Sequence, residues 1–248
     1  MRTLMEQATL DERLLDTVHI GLAWTENASL CARQMSIAFD DDVQQTFQRR
    51  FLDSFLAGQQ TTENVKLLSH GNVTAFKGQN GDATTLGLGD VVGEILRGRT
   101  IAANYFERCM PVLAARFEEI ARQSGLLCHM NVYWTPPSNG GAGRHSDDHD
   151  VAVLQVYGSK RWAIWQDAAK TEINLQAADF LFLKRGIDHD PTTSGQGSIH
   201  ITFGFVRKSD RHQLKKTLTF YQRADDVPES GIDADLVPAV VDSVLNPN

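Results

Sequence analysis

The sequence predicts a mainly β fold, an antiparallel barrel or sandwich buttressed by helices that precede it. Two observations carry this. Apolar residues recur at clear helical spacing in the first half of the chain, and after Gly125 the period changes to short alternating runs broken by turn residues. Helices followed by many short strands make a helical layer packed on a β core. At 248 residues the chain can bury one large core, or one domain with appendages.

Taken in order, residues 1–30 carry one weak helical pattern that breaks at Trp24-Thr25-Glu26-Asn27. In residues 43–56 the pattern is clear: Phe47, Phe51 and Phe55 recur every four residues, with Leu52 and Leu56 beside them. The acidic run Asp40-Asp41-Asp42 precedes this helix, where negative charge complements the helix dipole, and Gly58 stops it. We read the run as a solvated helix start rather than a metal site. Residues 59–92 are rich in Gly, Thr, Asn and Gln, with a turn at Asn80-Gly81, and are expected to form short irregular strands and loops. A second helix is marked over residues 105–124. Its regular part starts near Pro111, because a missing N–H costs nothing in a first turn. Leu113, Phe117 and Ile120 make its apolar face and Gly125 its stop.

Strand signals follow. Residues 126–134 read as a strand, ended by Thr135-Pro136-Pro137 and a Gly-rich loop. Residues 151–157 and 160–165 read as a hairpin, and 172–175 and 180–183 as short strands around a turn. Residues 198–206 form the last strong strand, with Ile199, Ile201 and Phe203 opposing His200, Thr202 and Gly204. The polar tail from Arg207 holds a β-rich run at 218–221 and a helix signal at 237–245.

Composition narrows the function. A formal net charge of -7 argues against charge-driven binding to nucleic acid or an anionic membrane. Cys31, Cys109 and Cys128 form no C-x-x-C pair and leave an odd count, which points to a reducing compartment and to inert apolar fillers. No apolar run reaches signal-peptide length at the N-terminus, nor the roughly 20 residues of a membrane helix anywhere. The expectation is a cytoplasmic protein.

Chemistry concentrates between Asn131 and Trp165. His145-Ser146-Asp147 is an H-x-D triplet at the start of a strand-like run, and alternation would project both side chains to one face. An imidazole and a carboxylate so placed are two corners of a 2-His-1-carboxylate triad, which suits non-haem Fe(II) because it leaves coordination positions open. Lys160, beyond the turn at Tyr157-Gly158-Ser159, is a cation that could anchor a dicarboxylate bound to the same metal. Candidates for the third ligand are His189, His200 and His212, and His149 competes for Asp147's face. Trp162 and Trp165 read as core residues.

The segment from Ala178 to His189 resembles the second cupin motif: a small residue and an acid, an apolar strand, a turn ending in Gly, then two residues and a His. A larger pattern is similar to JmjC-type 2-oxoglutarate oxygenases of the cupin-4, or ribosomal-oxygenase-like, branch. It comprises Asn131-Val132-Tyr133-Trp134-Thr135-Pro136, His145-Ser146-Asp147, Asp150-Val151-Ala152-Val153-Leu154-Gln155 and Gly158-Ser159-Lys160-Arg161-Trp162, in order and over roughly residues 93–206. Ala178 stands in place of the usual Gly, and Lys184-Arg185 in place of a proline-containing turn.

The resemblance implies a double-stranded β-helix (cupin or jelly-roll) core at 93–206, a helical and irregular region at 1–92 packing on it, and a C-terminal extension at 207–248. It implies His145, Asp147 and His189 as Fe(II) ligands, with His200 as the alternative third ligand. Lys160 would pair with the distal carboxylate of 2-oxoglutarate, and Asn131, Tyr133, His200 and Thr202 would line the co-substrate pocket. The reaction implied uses O2 and 2-oxoglutarate, releases succinate and CO2, and hydroxylates an unactivated C–H bond. Its target would be an amino-acid side chain, such as His or Arg, of a protein or peptide. A small-molecule hydroxylase, a redox-neutral cupin enzyme and a metal-binding cupin that performs no oxygenation are the alternatives. No direct nucleic-acid or membrane partner is expected, and a homodimer is left open.

Overall fold

The computed structural model of the protein describes residues 2–27, 32–37, 39–76, 84–137, 141–193 and 195–207. The elements run α1 (Arg2–Thr25), β1 (Ala32–Ser36), α2 (Asp41–Leu56), β2 (Val65–Ser69), β3 (Asn72–Ala75), α3 (Leu88–Leu96), β4 (Thr100–Ala103), a 3-10 turn (Phe106–Cys109) and α4 (Pro111–Ser124). They continue as β5 (Leu127–Thr135), β6 (Asp150–Tyr157), β7 (Ser159–Gln166), β8 (Ala169–Gln176), β9 (Asp179–Leu183), β10 (Asp188–Thr192) and β11 (Ser198–Val206). An eight-stranded sheet in the order β1-β9-β6-β11-β5-β4-β2-β3 faces a three-stranded sheet, β10-β7-β8. Every pairing is antiparallel. This is a double-stranded β-helix with helices on its outer face, as expected.

Alternation along the strands sorts the side chains between two cores. Ala152 and Leu154 of β6, Phe180 and Phe182 of β9 and Ile201, Phe203 and Phe205 of β11 face the helices, meeting Leu14, Phe47, Phe51 and Phe117. Their neighbours Val151, Val153, Leu181 and Leu183 face the small sheet, meeting Trp162, Ile164 and Leu175. α1 packs closely on the sheet at Gly21, where an added Cβ would collide with the Phe205 ring.

The helix signals have local causes. Asp40 caps α2, its carboxylate accepting from the Val43 amide at 3.0 Å, with Asp41 and Asp42 in the first turn. Pro111 opens α4 and Gly125, at φ 69°, closes it in the left-handed region. The 24-residue α1 is far more regular than its sequence suggests, and α3 and β1 went unmarked. The turn at Asn80-Gly81 and the two tail elements fall outside the described residues.

Two expectations need correction. Residues 151–157 and 160–165 are consecutive strands but not a hairpin: β6 pairs with β9 and β11, whereas β7 pairs with β8 and β10. Gly158 makes the corner at φ +64°, and a Cβ there would collide with the Gly197 carbonyl oxygen, so the chain turns from one sheet into the other. His145 does not begin a strand either. It forms an isolated bridge with His189, and β6 starts at Asp150.

Candidate metal centre

Three stitches bring the H-x-D segment against the chain leading into β10. His145 and His189 exchange main-chain hydrogen bonds, N to O, at 3.0 and 2.8 Å. The Gly186 amide donates to the Asp147 carbonyl at 2.7 Å, and the Arg185 amide to the buried Asp150 carboxylate at 2.9 Å. The result gathers His145, Asp147 and His189 so that one ligand atom of each lies within 4.8 Å of the others. His189 Nε2 is 3.6 Å from Asp147 Oδ2, and the two imidazole centroids are 4.3 Å apart.

Both imidazoles are oriented by the backbone. His145 Nδ1 lies 2.8 Å from the Gly143 carbonyl and His189 Nδ1 lies 3.0 Å from the Ile187 carbonyl. Donation from Nδ1–H to those carbonyls leaves each Nε2 lone pair for an ion. Burial lowers the His189 pKa, against the pull of Asp147, and so favours the neutral imidazole that ligates. Two imidazoles and one carboxylate suit Fe(II) and leave coordination positions free. Among the described residues this is the one cluster of three or more His, Cys, Asp or Glu side chains able to hold an ion.

Deeper between the sheets lies a polar stripe. Lys160 of β7 is 2% exposed; its ammonium donates to Thr135 Oγ1 at 3.0 Å and sits 3.4 Å from His200 Nδ1. No carboxylate among the described residues pairs with it, and burial brings its pKa down to about 7. Burial, then the Lys160 cation, push the His200 pKa well below the usual value. His200 stacks on Tyr133 at 4.7 Å with the rings 4° from parallel. Tyr133 is pushed up to about 12 by burial and then by Asp147, and its hydroxyl is hydrogen-bonded with Thr202 and Asn131. Asn131 also accepts from the Tyr105 amide at 3.1 Å.

Three further buried polar atoms, Trp162 Nε1, Ser198 Oγ and Gln155 Oε1, have no hydrogen-bond partner. Trp162 stands two positions along β7 from the level of His189, and so on the same face, its ring 5.7 Å from both His189 and His200. Buried polar groups without partners are costly, so a buried cation and these orphans fit a polar anionic ligand reaching from the triad to Lys160.

His200 lies beside Lys160 rather than in the triad, and His149 packs on His129 with its Nδ1 3.1 Å from Asp148. His212 falls outside the described residues. Trp165 is not a core residue: it points to the outer face, with the Arg144 guanidinium 4.2 Å over its ring. Sequence reasoning missed Thr135 as a partner of Lys160. The alternation that turned Asn131 and Tyr133 inward extends to Thr135 and was the available signal.

The fold and the site define a class, a double-stranded β-helix protein with a candidate 2-His-1-carboxylate metal centre. More narrowly, residues 108–214 match the family model of the JmjC domain. Curated relatives are called bifunctional lysine-specific demethylase and histidyl-hydroxylase NO66. The Drosophila erecta protein is 32% identical over 114 residues, covering 37% of this chain and 17% of that relative. The Culex quinquefasciatus protein is 30% identical over 101 residues, covering 32% and 16%. The chain thus spans about a sixth of the length of these relatives. Among solved structures, the Escherichia coli ribosomal oxygenase YcfD aligns with a TM-score of 0.48 at 18% identity, covering 86% of this chain and 61% of that one. Another structure of E. coli YcfD gives 0.49 at 15%, covering 90% and 66%.

Proposed function

We propose that the chain is an Fe(II)- and 2-oxoglutarate-dependent oxygenase that hydroxylates an amino-acid side chain of a protein or peptide. The observation that carries this reading is the placement, in one barrel, of an open three-ligand cluster and a buried cation with no carboxylate partner among the described residues. His145, Asp147 and His189 would hold the iron. Lys160, with Thr135 and His200 beside it, would hold the distal carboxylate of 2-oxoglutarate, and Asn131, Tyr133 and Thr202 would line the wall between. Iron with O2 and 2-oxoglutarate supplies the oxidising power, giving succinate, CO2 and a hydroxylated C–H position. The protein's share is positioning and exclusion of water. The dry, cationic end selects a diacid over a monoacid, because an uncompensated charge there is costly.

The histidyl-hydroxylase named in the relatives supports a side-chain substrate, His first. A net charge of -7 favours a protein or peptide over nucleic acid as partner. Among the described residues no helix is long and apolar enough to cross a membrane. The odd cysteine count without a C-x-x-C pair supports a cytoplasmic location. In this reading residues 93–206 are the core, 1–92 pack on it and 207–248 extend it.

The test is an anaerobic titration with Fe(II) and 2-oxoglutarate, following the visible charge-transfer band of the chelate. The band should require both components and be lost or weakened in His189→Ala. A metal-loaded wild type without the band would favour a metal-binding or redox-neutral cupin. A band indifferent to His189→Ala would move the third ligand elsewhere, to His200 first.

A further inference from the structure

Asp150 stands just outside the site and is fully buried, although its side chain is a carboxyl group. Buried carboxylates need compensating partners, and this one has three. Oδ1 accepts from the Arg185 amide at 2.9 Å, and Oδ2 accepts from Arg207 at 2.7 Å and forms an ion pair with Lys184 Nζ at 3.4 Å. The two cations continue to α1, where both donate to the Thr25 carbonyl, Lys184 at 2.7 Å and Arg207 at 2.9 Å.

The contact to Arg185 falls where a strand ladder would otherwise run on. β6 and β9 are in register as far as Val151 opposite Leu183. One step further, the Asp150 side chain takes the amide of Arg185, and the chain turns through Lys184 to Ile187, closed by Ile187 N donating to Lys184 O at 3.2 Å. That turn carries two groups the triad depends on. Gly186 N holds the Asp147 carbonyl, and the Ile187 carbonyl orients His189 Nδ1.

We propose that Asp150 is a positioning residue for the metal ligands Asp147 and His189, acting through the Lys184–Ile187 turn. A side-chain acceptor here substitutes for the missing ladder bond, and its charge ties the same turn to the end of α1. The inference rests on the proposed metal site for its functional meaning. The geometry of the turn is testable without metal.

The experiment compares wild type, Asp150→Ala and Arg207→Gln by two readouts. The first is Co(II) affinity from the ligand-field absorption, taken well below each variant's melting temperature. The second is amide hydrogen exchange at Gly186 and Ile187 in metal-free protein. Asp150→Ala should weaken Co(II) binding about tenfold or more, in line with other groups that support metal ligands, and speed exchange at both amides. Arg207→Gln cuts one tie to α1 and should lower the melting temperature while leaving Co(II) affinity near wild type. If Asp150→Ala fails to fold, Asp150→Asn, which removes the charge at nearly constant shape, should still lose affinity several-fold. Wild-type affinity and exchange in the Asp150 variant would overturn the proposal. So would equal losses of Co(II) affinity in the Asp150 and Arg207 variants, which would mean general destabilisation. A wild type that binds no Co(II) would overturn the metal reading, and the exchange data would then decide the turn by itself.

Discussion

A lysine all but sealed from water, with a threonine hydroxyl and an imidazole for company, pays for its burial in lost basicity. The sign of the pH effect follows. An unfolded lysine keeps its proton to about pH 10.4, whereas Lys160 gives it up near 7, so between these values the unfolded state binds more protons. The cost of burying the cation is therefore fully present below about pH 7 and fades as pH rises toward the unfolded value. Urea unfolding of ligand-free protein at pH 7 and pH 9 should show wild type gaining on Lys160→Met at the higher pH; a difference that is flat or moves the other way would refute the burial argument. On binding a dicarboxylate the lysine should take up a proton above pH 7. Lys160→Ala should leave the metal bound and raise the 2-oxoglutarate KM by about 30-fold or more, the equivalent of about 2 kcal/mol for removing one partner of a buried charge pair. Steady-state kinetics at varied 2-oxoglutarate would check it, and an unchanged KM would remove Lys160 from the anchor role.

At the level of elements, the tip of the β2–β3 hairpin rests on the Gly-rich loop before His145. Gly71 N donates to the Gly141 carbonyl at 3.1 Å, and a Cβ on Gly143 would lie 3.0 Å from the Gly71 Cα, with Gly143 itself at φ +71°. Since the Gly143 carbonyl meets His145 Nδ1, the N-terminal hairpin reaches the ligand through a backbone contact. Gly143→Ala should force the loop off the hairpin, costing about 1–3 kcal/mol and weakening Co(II) binding. Gly98→Ala is the comparison, because Gly98 has a similar φ of +79° but open space around it, and it should cost stability without touching metal affinity. Thermal melts and Co(II) titrations of the pair would separate strain from displacement.

For the whole molecule, the helical layer closes the outer face of the large sheet, and Gly21 against Phe205 is a point of close packing between them. Gly21→Val should therefore lift α1 and destabilise by several kcal/mol, toward the upper range of overpacking; a urea midpoint near wild type would mean the helix adjusts freely. The class of fold was legible because the change from helical to alternating period survives in Phe47, Phe51 and Phe55 on one side of Gly125 and Ile199, Ile201 and Phe203 on the other. The pairing of β6 with β7 was misread because β6 is buried on both faces, so its side chains do not announce which sheet it joins. β10 was hidden by Pro191 and two aspartates, and β1 by its mostly exposed side chains. In the site, spacing in the sequence drew attention to the H-x-D pair and Lys160. The main-chain stitches from Gly186 and Arg185 are invisible there, since amides carry no sequence signature.

The exchange of hydrogen bonds between His145 and His189 also fixes an order of events in assembly. The first imidazole and the carboxylate are made early, but their partner strand arrives only after β6, β7, β8 and β9 have been laid down and the chain has crossed between the sheets three times. A nascent chain halted before Asp188 holds two ligands and no bridge to align them. In the proposed site, capture of an ion would thus report that the barrel has closed, and an ion that favours the closed form over the open one would pull the last step of folding forward by mass action.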